Sequence, residues 1–132
     1  MSYTITLNKY LPMKAFFLIL FLSMAFVSYS QVEVNKENIK EHVGDSIKYC
    51  GKIVTAKLMD RMLTAPAFLN VDGAHPNQVF TVVVWKSDRL NFQEKPEKFY
   101  LDKNVCIYGK LELYKDALQV VARSEAQIVV QE

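Results

Sequence analysis

The sequence predicts an all-β domain with one or two short helices, preceded by a segment that directs export. Three observations support this prediction. Apolar and polar residues alternate in several separate segments, turn-forming residues divide those segments, and an apolar run lies near the amino terminus. The chain has 132 residues, which is enough for one domain.

The apolar run near the amino terminus is typical of a secretory signal. It covers residues 15–27, follows Lys14 directly, and ends at Ser28-Tyr29-Ser30, with small residues where signal peptidase cleaves. The run is shorter than the about 20 apolar residues of a membrane span. We predict a signal peptide over residues 1–30, with Met13 as an alternative start, and a periplasmic or secreted product. A membrane anchor and a buried helix are the alternatives.

The charge of the mature domain is balanced. The whole chain has 16 basic and 14 acidic residues, and only Lys9 and Lys14 precede residue 31, so residues 31–132 carry 14 of each. Affinity for nucleic acid depends largely on neutralising phosphates. A neutral domain can therefore bind nucleic acid only through a local basic patch.

The mature chain begins with a short helix and a long strand. Asn35 is a suitable N-cap, and apolar residues at helical spacing predict a helix over 35–43 that ends before Gly44. Residues 46–58 alternate between apolar and polar side chains, which predicts a half-buried strand.

Four more strands follow. Their predicted bounds are 66–71, 78–85, 104–114 and 117–122. Turn residues at Asp72-Gly73 and Lys115-Asp116 separate strand pairs. The charged segment 86–100 is predicted to be partly helical and interrupted at Pro96, and the tail over 125–130 to pack on the barrel.

The resulting order, three strands, a helical insertion and two strands, is that of a five-stranded OB-type Greek-key β-barrel over residues 31–132. In such a barrel the first and fourth strands are antiparallel neighbours. Cys50 and Cys106 lie on these strands with the same outward parity. Because exported cysteines tend to pair, we predict a disulfide, with two unpaired thiols as the alternative.

A family resemblance rests on four segments. They are Cys50-Gly51-Lys52-Ile53, Pro66-Ala-Phe-Leu-Asn70, Pro76 to Trp85 with Ser87-Asp88-Arg89, and Cys106-Ile-Tyr-Gly109-Lys110 with Glu112-Leu-Tyr114. Together they resemble a group of small bacterial OB-fold domains, described as nucleic-acid-binding and sometimes joined to nuclease or helix-hairpin-helix modules. The resemblance covers about Glu37 to Ile128 and implies a single-stranded nucleic acid ligand. The sequence departs from the group at Lys86 and at Ala74-His75, where the group tends to have a small residue and an aromatic.

OB barrels bind ligands on the face of their second and third strands, where aromatic rings stack on bases and basic side chains contact the backbone. The candidate ligand-binding residues are Lys57, Arg61, Phe68, Asn70, Phe80, Trp85, Lys86, Arg89, Tyr114 and Lys115. Phe68 and Phe80 have the alternative of core packing, and Arg89 that of a local ion pair. Trp85 is the only tryptophan, and with Lys86 and Arg89 it is predicted to form part of the binding platform.

The sequence contains no recognisable catalytic motif and predicts neither a metal nor a cofactor. Its two histidines are far apart, and Asp60, Asp72 and Asp88 are scattered over loops, although a cation site formed by them is an alternative. We therefore predict a non-enzymatic binding module for single-stranded nucleic acid. The alternative is an exported barrel that binds a small molecule, an oligosaccharide or a protein partner. The oligomeric state is open.

Overall fold

The computed structural model describes Met13, Ser28 and residues 30–132, so the predicted signal peptide lies almost wholly outside the described residues. Gln31–Glu132 form one compact unit. Its strands are β1 (Val32–Glu33), β2 (Ser46–Leu58), β3 (Ala67–Val71), β4 (Phe80–Val84), β5 (Asn104–Tyr114), β6 (Ala117–Val121) and β7 (Ile128–Val130). The helical segments are short 3₁₀ helices at Ile39–His42, Lys86–Asn91 and Glu125–Gln127, and one α-helical turn, α1 (Pro96–Phe99).

Five strands close into a barrel in the order β2-β3-β4-β6-β5, with β5 pairing back onto β2. All of these pairs are antiparallel except β4–β6, which is parallel. This is the strand order of an OB-type barrel, and the predicted all-β fold class is confirmed. The short β1 and β7 extend the sheet beside β2 and β5.

Strand β2 belongs to both sides of the barrel. Its first half pairs with β5, and its second half, from Ile53, pairs with β3. The register shifts between Ile53 and Thr55, so a bulge lies at Val54. A bulge reverses the alternation of the residues that follow it. Simple alternation from Tyr49 would turn Thr55 and Lys57 inward, whereas the bulge turns them to the outer face.

The barrel interior is filled by apolar side chains from every barrel strand. Ile47, Tyr49 and Ile53 are buried, as the alternation in β2 predicts. Phe80 is only 1% exposed and packs edge-on against Tyr49, with ring centroids 5.1 Å apart. The prediction of Phe80 as a ligand-binding residue is therefore wrong, because its ring fills the core.

Several local predictions need correction. The helix predicted over 35–43 is a 3₁₀ helix at Ile39–His42, because the side chains of Asn35 and Asn38 bond each other's backbone and form a turn first. Pro96 does not interrupt a helix but begins α1, where its missing N–H is not needed. Lys115 and Asp116 form the predicted tight turn, and both have positive φ, as a two-residue hairpin requires.

Asp72 stabilises a corner of the barrel. Its carboxylate accepts hydrogen bonds from the Tyr49 hydroxyl, at 2.6 Å, and from the backbone N–H of Lys52, at 2.8 Å. A Cβ at Gly51 would lie 2.5 Å from that carboxylate, so only glycine permits the contact. Burial and the bond to Asp72 raise the pKa of Tyr49. The Asp72 carboxylate thus has a structural role.

The predicted disulfide is confirmed. Cys50 and Cys106 lie directly opposite each other where β2 pairs with β5, and they are bonded. Cys50 is exposed, whereas Cys106 is 3% exposed. The bond therefore ties together two strands whose pairing closes the barrel.

Candidate ligand-binding groove

A groove of about 680 Å³ runs across the outer face of β2, β3, β4 and β6. Its size lies within the range of small-molecule and cofactor sites. The side chains that line it are those of Thr55, Ala56, Lys57, Met59, Phe68, Asn70, Ala74, His75, Gln78, Thr81, Val83, Tyr114, Ala117, Leu118 and Gln119. We call this feature the groove.

The strand register arranges the groove floor in two rows. In the first row, Thr55 of β2 lies opposite Asn70 of β3, and Asn70 lies opposite Thr81 of β4. Thr81 in turn lies beside Gln119 of β6. These four polar side chains form a continuous strip over four strands. We call it the polar row.

The second row is displaced from the first by two residues, later in sequence on β2 and β4 and earlier on the antiparallel β3. Lys57 is opposite Phe68, and Phe68 is opposite Val83. At the β5–β6 hairpin, Tyr114 is 57% exposed and lines the groove, and the ammonium of Lys115 lies 5.4 Å from its ring centroid. The groove therefore has two accessible aromatic rings, each near a lysine.

Hydrogen bonds connect the polar row to the 72–78 loop. Asn70 Nδ2 donates to Thr55 Oγ1, and Thr81 Oγ1 donates to Asn70 Oδ1, both at 2.9 Å. Gln78 Nε2 donates to Thr81 Oγ1 at 3.2 Å and contacts His75 Nδ1 at 3.3 Å. Gln78 Oε1 is buried with no hydrogen-bond partner among the described residues. The chain of bonds fixes the orientation of the Asn70 amide.

The charge of the groove is positive. Its lining contains the ammonium of Lys57, and within the described part of the chain no Asp or Glu contributes to it. The nearest acid by register is Glu112 of β5, which lies opposite Gln119 on the same face but does not line the groove. The balanced net charge of residues 31–132 is thus not spread evenly, because no carboxylate lines the groove among the described residues although Glu112 adjoins it.

The structure brings together only part of the predicted site. Lys57, Phe68, Asn70 and Tyr114 line the groove, and Lys115 adjoins it. The remaining candidates lie elsewhere.

Trp85 and Lys86 line a separate, smaller pocket of about 490 Å³, together with Leu63 and Leu90. Arg61 lies exposed in the β2–β3 loop and lines neither pocket. The platform predicted from Trp85, Lys86 and Arg89 is therefore distinct from the groove.

Arg89 forms an ion pair with Glu97 and lines neither the groove nor the smaller pocket, so the structure separates it from the other candidates. Its guanidinium donates two hydrogen bonds to Glu97, at 2.9 and 3.0 Å, and the two side chains are 20% and 10% exposed. Burial would by itself raise the pKa of Glu97, but the hydrogen bonds from Arg89 and from the backbone, together with the charges of Arg89 and Lys95, outweigh it and the pKa is lowered. The pair ties the 3₁₀ helix Lys86–Asn91 to α1.

Replacing Glu97 by glutamine should lower the free energy of unfolding at pH 7 by about 2 kcal/mol, because it removes the charged, bidentate hydrogen-bond acceptor of Arg89. A lowered folded-state pKa means that this stabilisation is present at neutral pH and is lost as the pH falls through that value. Urea unfolding at pH 7 and pH 3 should show the wild-type advantage shrinking in acid. Glu94→Gln, at an exposed position, is the control and should change little. An equal difference at both pH values would contradict the prediction.

Sequence reasoning missed much of the polar row and its support. Thr55 and Thr81 could have been noticed as polar residues within apolar strands, but their shared face depends on the bulge at Val54. His75 and Gln78 carry no sequence signal, because loop residues come into place only through the fold.

The described residues contain neither a cluster of metal ligands nor a helix that could span a membrane. No group of three or more His, Cys, Asp and Glu side chains there could hold a metal ion. In the same part of the chain, no helix is both long enough and apolar enough to cross a membrane.

Comparison with known proteins finds distant likenesses among solved structures. No protein-family model matches this chain, and no curated protein is similar to it. Among solved structures, one similar chain is described as an aspartyl-tRNA synthetase from Leishmania major Friedlin, with 8% sequence identity and a TM-score of 0.46. The match covers 89% of this chain and 26% of the other, so this chain spans about a quarter of that protein's length. A likeness of this size carries no argument about function, and the resemblance to small bacterial OB-fold domains stays a prediction.

Proposed function

We propose that this protein is a binding module whose groove takes a short segment of single-stranded nucleic acid. The observation that carries the proposal is the composition of the groove: two accessible aromatic rings, flanking lysines, a strip of amides and hydroxyls, and no carboxylate among the described residues that line it. Bases stack on aromatic rings whatever their sequence, and basic side chains follow the backbone.

Each group has a distinct role in this proposal. Phe68 and Tyr114 stack on bases, and the polar row bonds to base edges. Lys57 and Lys115 lie beside these rings and contact phosphates. With two such cations, few phosphates are engaged, so the affinity is weak and depends only moderately on salt.

The balanced charge of residues 31–132 and the apolar part of the groove favour an uncharged ligand instead, such as a small molecule or an oligosaccharide. Such a ligand would occupy the same groove without phosphate contacts. Salt dependence separates the two, because only the nucleic acid releases condensed counterions on binding.

The test is the binding of a fluorescein-labelled, mixed-sequence DNA octamer to residues 31–132, followed by anisotropy. We expect affinity to fall about five- to tenfold between 50 and 200 mM salt, as about two phosphate contacts require. A duplex of the same sequence should bind more weakly, because its bases are not free to stack on the rings.

Trp85 serves as an internal control in this experiment, since it is the only tryptophan and lies outside the groove. Its emission should stay nearly constant as the octamer binds. Strong quenching would assign the ligand to the smaller pocket. Absence of binding at 50 mM salt would reject a nucleic acid ligand.

A further inference from the structure

The amide of Asn70 retains unused hydrogen-bonding capacity that faces the groove. An asparagine amide has two N–H donors and an oxygen with two lone pairs. One donor bonds to Thr55 and one lone pair accepts from Thr81, both at 2.9 Å. One N–H and one lone pair remain.

The unused N–H and the unused lone pair both lie at the outer edge of the Asn70 amide. Thr55 and Thr81 stand on the strands at either side of Asn70, so they take the lateral positions of the amide. The bond from Gln78 to Thr81 Oγ1 leaves the Thr81 hydroxyl hydrogen for Asn70 Oδ1, which favours this orientation of the amide. The outer edge therefore presents a donor beside an acceptor in a fixed order.

Phe68 lies two residues before Asn70 on the same strand and the same face, which places them about 6.6 Å apart along the strand. A flat heterocycle stacked on the Phe68 ring can thus extend its edge to the Asn70 amide. Lys57, opposite Phe68, lies at the other side of the same ring.

Resting on the proposed function, we propose that Asn70 is a specificity-determining residue that bonds the Watson–Crick edge of one unpaired base stacked on Phe68. Each of the four bases offers an adjacent donor and acceptor on that edge, so Asn70 discriminates little among them. It favours an unpaired base over a base in a duplex, whose edge is occupied, and over an abasic site. The ligand class is a single-stranded nucleic acid of mixed sequence.

The substitution Asn70→Asp changes the pattern in a defined way. A carboxylate presents two acceptors at its outer edge, and among the bases only guanine offers two adjacent donors there, N1–H and the N2 amino group. Bidentate contact of this kind gives roughly tenfold discrimination or more between bases. The variant should therefore acquire a preference for guanine that the wild type lacks.

The experiment uses labelled strands of nine residues in which eight are abasic and the central one carries adenine, cytosine, guanine or thymine, with a wholly abasic strand as reference. The wild type should bind all four base-containing strands within about threefold of one another and at least about tenfold more tightly than the abasic strand. Asn70→Asp should bind the guanine strand at least about tenfold more tightly than the other three. Asn104→Asp, the same charge change at an exposed position outside the groove, should behave as the wild type.

The possible failures are distinguishable. If the wild type binds base-containing and abasic strands equally, or none, while the mixed-sequence octamer still binds, only this inference is overturned; if the octamer also fails to bind, the proposed function is overturned with it. If the wild type prefers the base-containing strands but Asn70→Asp keeps the same order among the four, only the inference is overturned. If Asn70→Asp does not fold, Asn70→Leu is the deciding variant. It should bind the base-containing strands no more than about threefold more tightly than the abasic strand. If it keeps the full wild-type preference for base-containing strands, the role of Asn70 is rejected.

Discussion

Removing the disulfide should lower the free energy of unfolding by about 4 kcal/mol. Cys50 and Cys106 are separated by 56 residues, and opening a loop of that length increases the conformational entropy of the unfolded chain. A domain of this size has a total stability of about 5–15 kcal/mol. The bond therefore supplies a large share of the stability, and it does so where β2 and β5 close the barrel.

The measurement compares urea unfolding of the oxidised protein with that of Cys50→Ser combined with Cys106→Ala. Alanine is chosen at position 106 because that side chain is buried, and a serine hydroxyl there would lack a partner. The reduced wild-type protein is the matched control, since it loses the bond and keeps both sulfurs. A difference below about 1 kcal/mol between oxidised and reduced protein would contradict the entropic argument.

The long strands were predictable because each has one face in the core. The bounds of β2 and β5 agree with the sequence prediction, and the alternation also gave the shared parity of the two cysteines. The short β1 and β7 were not predicted as strands, because two or three residues are too few for an alternating pattern.

The candidate site was less predictable, because it depends on register. The polar row exists only because the bulge at Val54 turns Thr55 outward, opposite Asn70, and nothing in the local sequence specifies that bulge. The loss of Arg89 from the site has a similar origin. Its partner Glu97 lies eight residues away on another helical segment, and only the fold brings the two together.

Replacing Phe68 and Tyr114 together by alanine should weaken binding of the DNA octamer about a hundredfold or more. Stacking on an aromatic ring contributes about 1–3 kcal/mol per base, and the double variant removes both rings of the groove while retaining Lys57 and Lys115. Because the phosphate contacts remain, the residual binding should keep the salt dependence of the wild type.

Stability and binding must be separated in this variant, since Phe68 is half-buried whereas Tyr114 is largely exposed. Phe68→Leu combined with Tyr114→Leu keeps apolar contacts at both positions but removes the flat rings, so it should fold like the wild type and still bind poorly. Trp85→Ala is the matched control, an aromatic removed from the other pocket, and it should bind normally. If Trp85→Ala abolishes binding while the leucine variant binds like the wild type, the ligand occupies the smaller pocket, and the two rings of the groove serve only to cover the barrel.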